Sequence, residues 1–371
     1  MGILKSRIAS VCRRRTESVF LVGCILISFG ILLVTVGGSW DITNHLLSKP
    51  DSFFSPPHGL MYLGVTISLV GTTLSFLSWR LLQNFKNYYL LSLKNSLIGI
   101  GLLSSAGPFD YFWHSSFGLD GLLSPPHLTL IAGMFFCAIG GMIGICRYYN
   151  TKSPKKYLRY LLILALIPIW LSGSGIISSL SLPFSNTDYF QFNPDPIFAV
   201  IVATIGFPFL ISGATLLVFR LSDYRFGMIS ILGGLFLLIS SSTSIVSNFA
   251  LIDSVTFYSL NLIPFLSADV ILFFNRSRKA LVFTGGLLGS IFYMVYYPYV
   301  MYTFNEVLLG KLVSASLIYF VYFEMIDKVL IITVVPATIM GVLATFISEK
   351  ISKKIIDGKK LNEIESQKQP N

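Results

Sequence analysis

All four histidines of the chain fall in two short stretches written to one pattern. The first stretch carries Gly38, Asp41, His45, Asp51, Ser55, Pro56, Pro57 and His58. The second carries Gly107, Asp110, His114, Asp120, Ser124, Pro125, Pro126 and His127. The two windows, 38–58 and 107–127, are offset by 69 residues, and these eight positions are the identical ones. The apolar positions between them drift. A repeat kept only for packing would hold its apolar residues and let the polar ones vary. This one holds metal-ligand types and helix punctuation, so it reads as two copies of one binding site.

Within one copy, Asp41 and His45 are four residues apart and share a face of a helix that continues to about residue 48. Ser55-Pro56-Pro57 reads as a helix start, since Ser suits the N-cap and Pro is tolerated in a first turn whose N–H groups lack helical partners. His58 then sits in that first turn. Asp41, His45 and His58 are thereby placed to converge, and Asp110, His114 and His127 likewise. Two imidazoles and a carboxylate suit copper, zinc or iron, with coordination positions left open. Asp51 and Asp120 either hydrogen-bond a ligand histidine or complete the ligand set. A histidine–aspartate clamp or a proton relay without metal is the competing chemistry.

The elements that must position these residues are transmembrane helices. Mean hydropathy is +0.74, and 54% of residues are hydrophobic against 12% charged. Soluble chains carry roughly 25% charge. Apolar runs of about 20 residues recur, each long enough for a ~30 Å hydrocarbon core. The expected fold is an all-α, polytopic transmembrane bundle of about ten spans: 19–38, 59–80, 89–107, 127–147, 159–181, 197–219, 226–247, 256–274, 280–302 and 329–348. The segment 305–327 is interrupted by Glu306, Lys311, Glu324 and Asp327 and reads as interfacial or re-entrant. Residues 1–148 form a four-span unit with one motif at the outer turn of each hairpin. Residues 149–348 form a six-span unit, and 349–371 a polar cytoplasmic tail.

The net charge of +10 is a topology signal, not a nucleic-acid signal. Of the 27 basic residues, 24 fall in segments assigned to one side, and only Lys49, Lys311 and Lys328 fall on the other. The positive-inside rule then puts both termini in the cytoplasm and both motifs outside, in a multi-pass protein of the cell membrane. Lipid is the expected partner, with membrane or redox subunits beside it. Cys12, Cys24, Cys137 and Cys146 show no paired spacing and read as small apolar residues. Arg13-Arg14-Arg15 before Val19–Val36 resembles a secretory signal in polarity, but the apolar stretch exceeds the usual 7–15 residues, so a retained first span is expected.

The Asp-x3-His-x12-His spacing at an outer membrane face, with a second Asp and a Ser-Pro-x-His ending, resembles the C subunit of copper membrane monooxygenases, the particulate methane and ammonia monooxygenases. The likeness covers about 20 residues in each copy. It implies copper as the ion, with Asp41, His45 and His58 and then Asp110, His114 and His127 as ligands, and an oxidative or redox subunit whose electrons come from a partner. Here the motif occurs twice, and no histidine is left for the neighbouring Asn-His-His site of that family. A metal transporter, a metal-delivery or assembly factor, and a structural membrane subunit without metal are the alternatives. The near absence of mid-span acids disfavours transport.

Three further features carry expectations. Asp269 is expected to pair with Arg276 or Lys279. The aromatic run from Tyr293 to Tyr302 reads as an interfacial belt. Ser240 to Ser244 suggest close helix packing through small residues.

Overall fold

The computed structural model describes residues 2–46, 52–82, 86–118, 123–151, 159–181, 196–247, 255–291 and 333–355, with 194, 249 and 252 as single positions. Every regular element among them is helical. In chain order they are α1 (Gly2–Leu46), α2 (Pro56–Leu81), α3 (Lys86–Phe117), α4 (Pro125–Thr151), α5 (Leu161–Ser181), α6 (Pro196–Leu221), α7 (Met228–Ser247), α8 (Val255–Ser259) and α9 (Leu262–Phe274). They are followed by α10 (278–291) and α11 (Thr333–Ile355). Eight of the described helices are long and apolar enough to cross a membrane.

Helix boundaries differ from the hydropathy expectation where backbone hydrogen bonding continues past the apolar stretch. α1 runs on at both ends, and α3 extends beyond residue 107 to Phe117, so Asp110 and His114 lie inside a helix. The stretch expected as one span over 256–274 is broken at Leu260 and Asn261. Pro264 lies in the first turn of α9, where its missing N–H is tolerated but where an unbroken helix would lose a bond. α10 is described only to residue 291. The expected segment 305–327 and the run Tyr293–Tyr302 lie outside the described residues.

Two hairpins, α1–α2 and α3–α4, pack into a four-helix unit, because α1 also contacts α4 and α2 also contacts α3. Small residues let the backbones approach. A Cβ added at Gly30 would lie 2.5 Å from the Gly64 carbonyl oxygen; one at Gly99 would lie 2.8 Å from that of Gly133. Gly30 and Gly64 precede Gly99 and Gly133 by 69 residues, the offset that also relates the two motifs. Ile27, Ile31, Val34, Met61, Ile100, Leu103, Ile131, Met134, Cys137 and Ala138 form a buried apolar floor inside this unit.

The remaining helices share its core. Phe20 and Cys24 of α1 cluster with Trp170 of α5, Phe219 of α6, Phe236 of α7 and Phe265 of α9. Trp170 stacks on Phe236 at 4.4 Å between ring centroids. Among the described residues this second cluster runs from α1, α3 and α4 into α5, α6, α7 and α9. α7 also reaches the motif end of α1: Ser39 and Thr243 hydroxyls lie 3.0 Å apart, and Ser247 donates to the Trp40 carbonyl at 3.2 Å. Thr243 lies within the stretch 240–244 expected to pack closely, and Ser247 lies one turn beyond it. Asp269 meets neither expected cation. Its carboxylate instead accepts from the Ser230 N–H at 2.8 Å and hydroxyl at 2.5 Å, capping the first turn of α7.

At the end of the bundle away from the motifs, ionic contacts join several helices. Arg159 lies 3.7 Å from Asp223. Glu349 of α11 approaches Arg220 of α6 at 3.9 Å, Arg278 at 3.3 Å and Lys353 at 2.7 Å.

Candidate metal centre

α2 and α4 both open on Pro-Pro, preceded by Ser55 and Ser124. An N-cap hydroxyl ordinarily accepts from the N–H of the second or third helical residue. Proline at the second position removes one of those donors. Ser55 indeed makes no cap hydrogen bond through its side chain, contrary to the expectation from sequence. The third helical residue is the histidine, His58 or His127. Both histidines are therefore held in the first turn of their helices by the same rigid punctuation.

The second copy brings its three expected ligands together. One ligand atom each from Asp110, His114 and His127 lies within 4.8 Å of the others. Asp110 Oδ1 is 3.3 Å from His114 Nε2 and 3.6 Å from His127 Nε2. Two ligands about 2.1 Å from one ion at a tetrahedral angle are separated by about 3.4 Å, so these edges fit a metal site. Oδ1 is buried and accepts no aligned hydrogen bond among the described residues, although both rings approach it. An ion between the three groups would satisfy it.

The rings are oriented from behind. His114 Nδ1 lies 2.9 Å from the Gly118 carbonyl oxygen. A carbonyl only accepts, so Nδ1 carries the proton, and in the neutral ring Nε2 presents a lone pair toward Asp110. Gly118 reaches this position because it ends α3 in the left-handed conformation, with φ +72° and its own N–H bonded to the His114 carbonyl at 2.9 Å. His127 Nδ1 lies 2.8 Å from the Ser124 hydroxyl, which is fully buried. Such outer partners fix ring orientation and tautomer in metal sites.

The first copy is described in part. His58 Nε2 lies 3.3 Å from Asp41 Oδ2, with both side chains largely shielded. His58 Nδ1 lies 3.0 Å from the Ser52 carbonyl oxygen and must donate to it. Nε2 therefore faces a carboxylate either as the second N–H of an imidazolium or as a lone pair across a cation. His45 falls within α1, four residues after Asp41. Its side chain, Asp51 and Asp120 lie outside the described residues.

The two copies adjoin. The Phe53 and Tyr111 rings are 5.6 Å apart, and the Tyr62 ring lies against Gly107. Tyr111 and Phe112 are more than half exposed on the outer face of α3, as aromatic residues at a membrane interface are.

Spacing alone singled out the side chains that approach one another, Asp41 with His58, and Asp110 with His114 and His127. It did not locate the carbonyls of Ser52 and Gly118, nor the contacts of Thr243 and Ser247 on α1. Gly118 carries a legible signal, a glycine just past a helix end. Ser52 and Ser247 carry none. Comparison of the chain with protein-family models, curated proteins and solved structures finds no match.

Proposed function

We propose that this is a multi-pass membrane metalloprotein that holds one ion at Asp110, His114 and His127 and a second at Asp41, His45 and His58. The observation that carries the reading is the convergence of the second set, with both imidazole Nε2 atoms turned toward one buried carboxylate oxygen. The first set follows by its shared spacing and the approach of His58 to Asp41. Copper is the ion implied by the resemblance to the monooxygenase C subunit; zinc or iron suits the same donors. Three protein ligands leave positions open, and a bound copper ion would supply Lewis acidity or one-electron chemistry there. The chain's own residues hold and orient it: Gly118 and Ser124 set the rings, and the apolar floor beneath excludes water. The role we favour is a redox or oxidative subunit fed by a membrane partner, with both motifs on the extracytoplasmic face of ten passes.

A second reading keeps support from the first copy. The direct approach of His58 to Asp41 also suits an imidazolium–carboxylate clamp without metal. Metal analysis separates the two. Protein purified from copper-, zinc- or iron-supplemented cells is expected to carry up to two ions per chain. The pair His114→Ala/His127→Ala should lose one of them, and His45→Ala/His58→Ala the other. Trace metal that neither pair alters would sink the metal reading and leave the clamp.

A further inference from the structure

We infer that the two sets form a single paired-metal centre, with the ions side by side across the α2–α3 interface at roughly 10 Å, about the 8–10 Å spacing of packed helix axes. This inference rests on the metal-binding reading above. It concerns how the two sites act on each other, which that reading leaves open.

The placement follows from helix geometry. α2 leads away from the motif end and α3 leads toward it. A Cβ added at Gly107 would lie 3.9 Å from Tyr62 Cε1, so the Tyr62 ring, which leans toward the start of α2, reaches residue 107 of α3. His58 precedes Tyr62 by four residues, which raises it about 6 Å toward the motif end at about 1.5 Å per residue. Asp110 follows Gly107 by three residues and rises about 4.5 Å in the same direction. His58 of one set and Asp110 of the other therefore stand at nearly the same height on neighbouring helices. The Phe53–Tyr111 ring contact ties the same two segments together beside them.

Two consequences follow for divalent ions. Each set contributes one carboxylate, Asp41 or Asp110, so each filled site keeps a net positive charge. Two such charges roughly 10 Å apart, at an effective dielectric of about 20, repel enough to weaken the second ion roughly tenfold. The ions are also close enough for unpaired electrons on them to interact.

Cupric ion is the probe that reads both. Purified full-length protein is titrated with Cu(II) and followed by electron paramagnetic resonance. One equivalent should give narrow lines from isolated ions. Two equivalents should give lines broadened by dipolar coupling, with the second ion roughly tenfold weaker. Asp41→Asn/His58→Ala and His114→Ala/His127→Ala should each bind one ion and stay narrow. The wild-type titration needs no variant, so misfolding of a variant does not obscure the result. Two equivalents whose spectrum is the plain sum of isolated sites would overturn the pair while leaving the metal reading intact. A single ion lost in either variant would also overturn it, in favour of one shared site. No copper bound at all would overturn both readings.

Discussion

Ser55 and Ser124 occupy the same position of the same motif and do different work. The Ser124 hydroxyl is spent on His127 Nδ1, while His58 uses the Ser52 carbonyl and the Ser55 hydroxyl has no hydrogen-bond partner among the described residues. Losing a partner behind a ligand histidine typically weakens metal binding about 10–100-fold. Ser124→Ala is therefore expected to weaken the second site by about that factor, read by competition with a chelator, and Ser124→Thr to retain it. Ser55→Ala should leave the first site unchanged; an equal loss there would refute the asymmetry. The approach of Asp110 to His114 was legible because an Asp and a His four apart share a helix face. Their outer partners were not, because any residue offers a backbone carbonyl and only the folded chain shows which one is near.

Among the elements, the tight hairpins decide how well the site is held. Gly99 has no room for a side chain: its Cβ would come within 2.6 Å of Cys137 Sγ and 2.8 Å of the Gly133 carbonyl oxygen. Overpacking of this kind costs about 1–3 kcal/mol or more. Gly99→Leu should lower the thermal midpoint in detergent and loosen metal binding at Asp110, His114 and His127. Gly101→Leu, on the same helix but facing open space, should do neither. Equal behaviour of the two variants would argue against packing as the cause. The helices themselves were readable from hydropathy, but their ends were not. Hydropathy reports where lipid is tolerated, whereas a helix stops where its hydrogen bonds do. α3 therefore passes its apolar limit at residue 107 and ends at the left-handed Gly118. The break at Leu260–Asn261 had its sign in Pro264, which the apolar flanks outweighed.

Among the described residues, the ion pairs of arginine and lysine and the motif turns sit at opposite ends of the bundle. Arg159, Arg220, Arg278 and Lys353 gather around Asp223 and Glu349, far from the motif turns. The count of basic residues expects the end that carries them to be cytoplasmic, because lysine and arginine concentrate on that side of membrane proteins. A cysteine at Phe54, a highly exposed residue beside His58, should therefore react with an impermeant maleimide added outside cells. One at Asn275 should react only after permeabilisation. The reverse pattern would invert the orientation. The length of α1 then sets a depth. From Arg15 to Asp41, a step of 26 residues, it rises about 39 Å. That exceeds a hydrocarbon core of ~30 Å and comes close to a bilayer with its headgroups, ~40–45 Å. If Arg15 lies among the inner phosphates, as the basic-residue count expects, Asp41 stands among the outer ones. Longer acyl chains would draw it toward the hydrocarbon boundary, and shorter ones would lift it into water. Bilayer thickness, as well as ion concentration, would then govern how freely the proposed site exchanges with the aqueous phase.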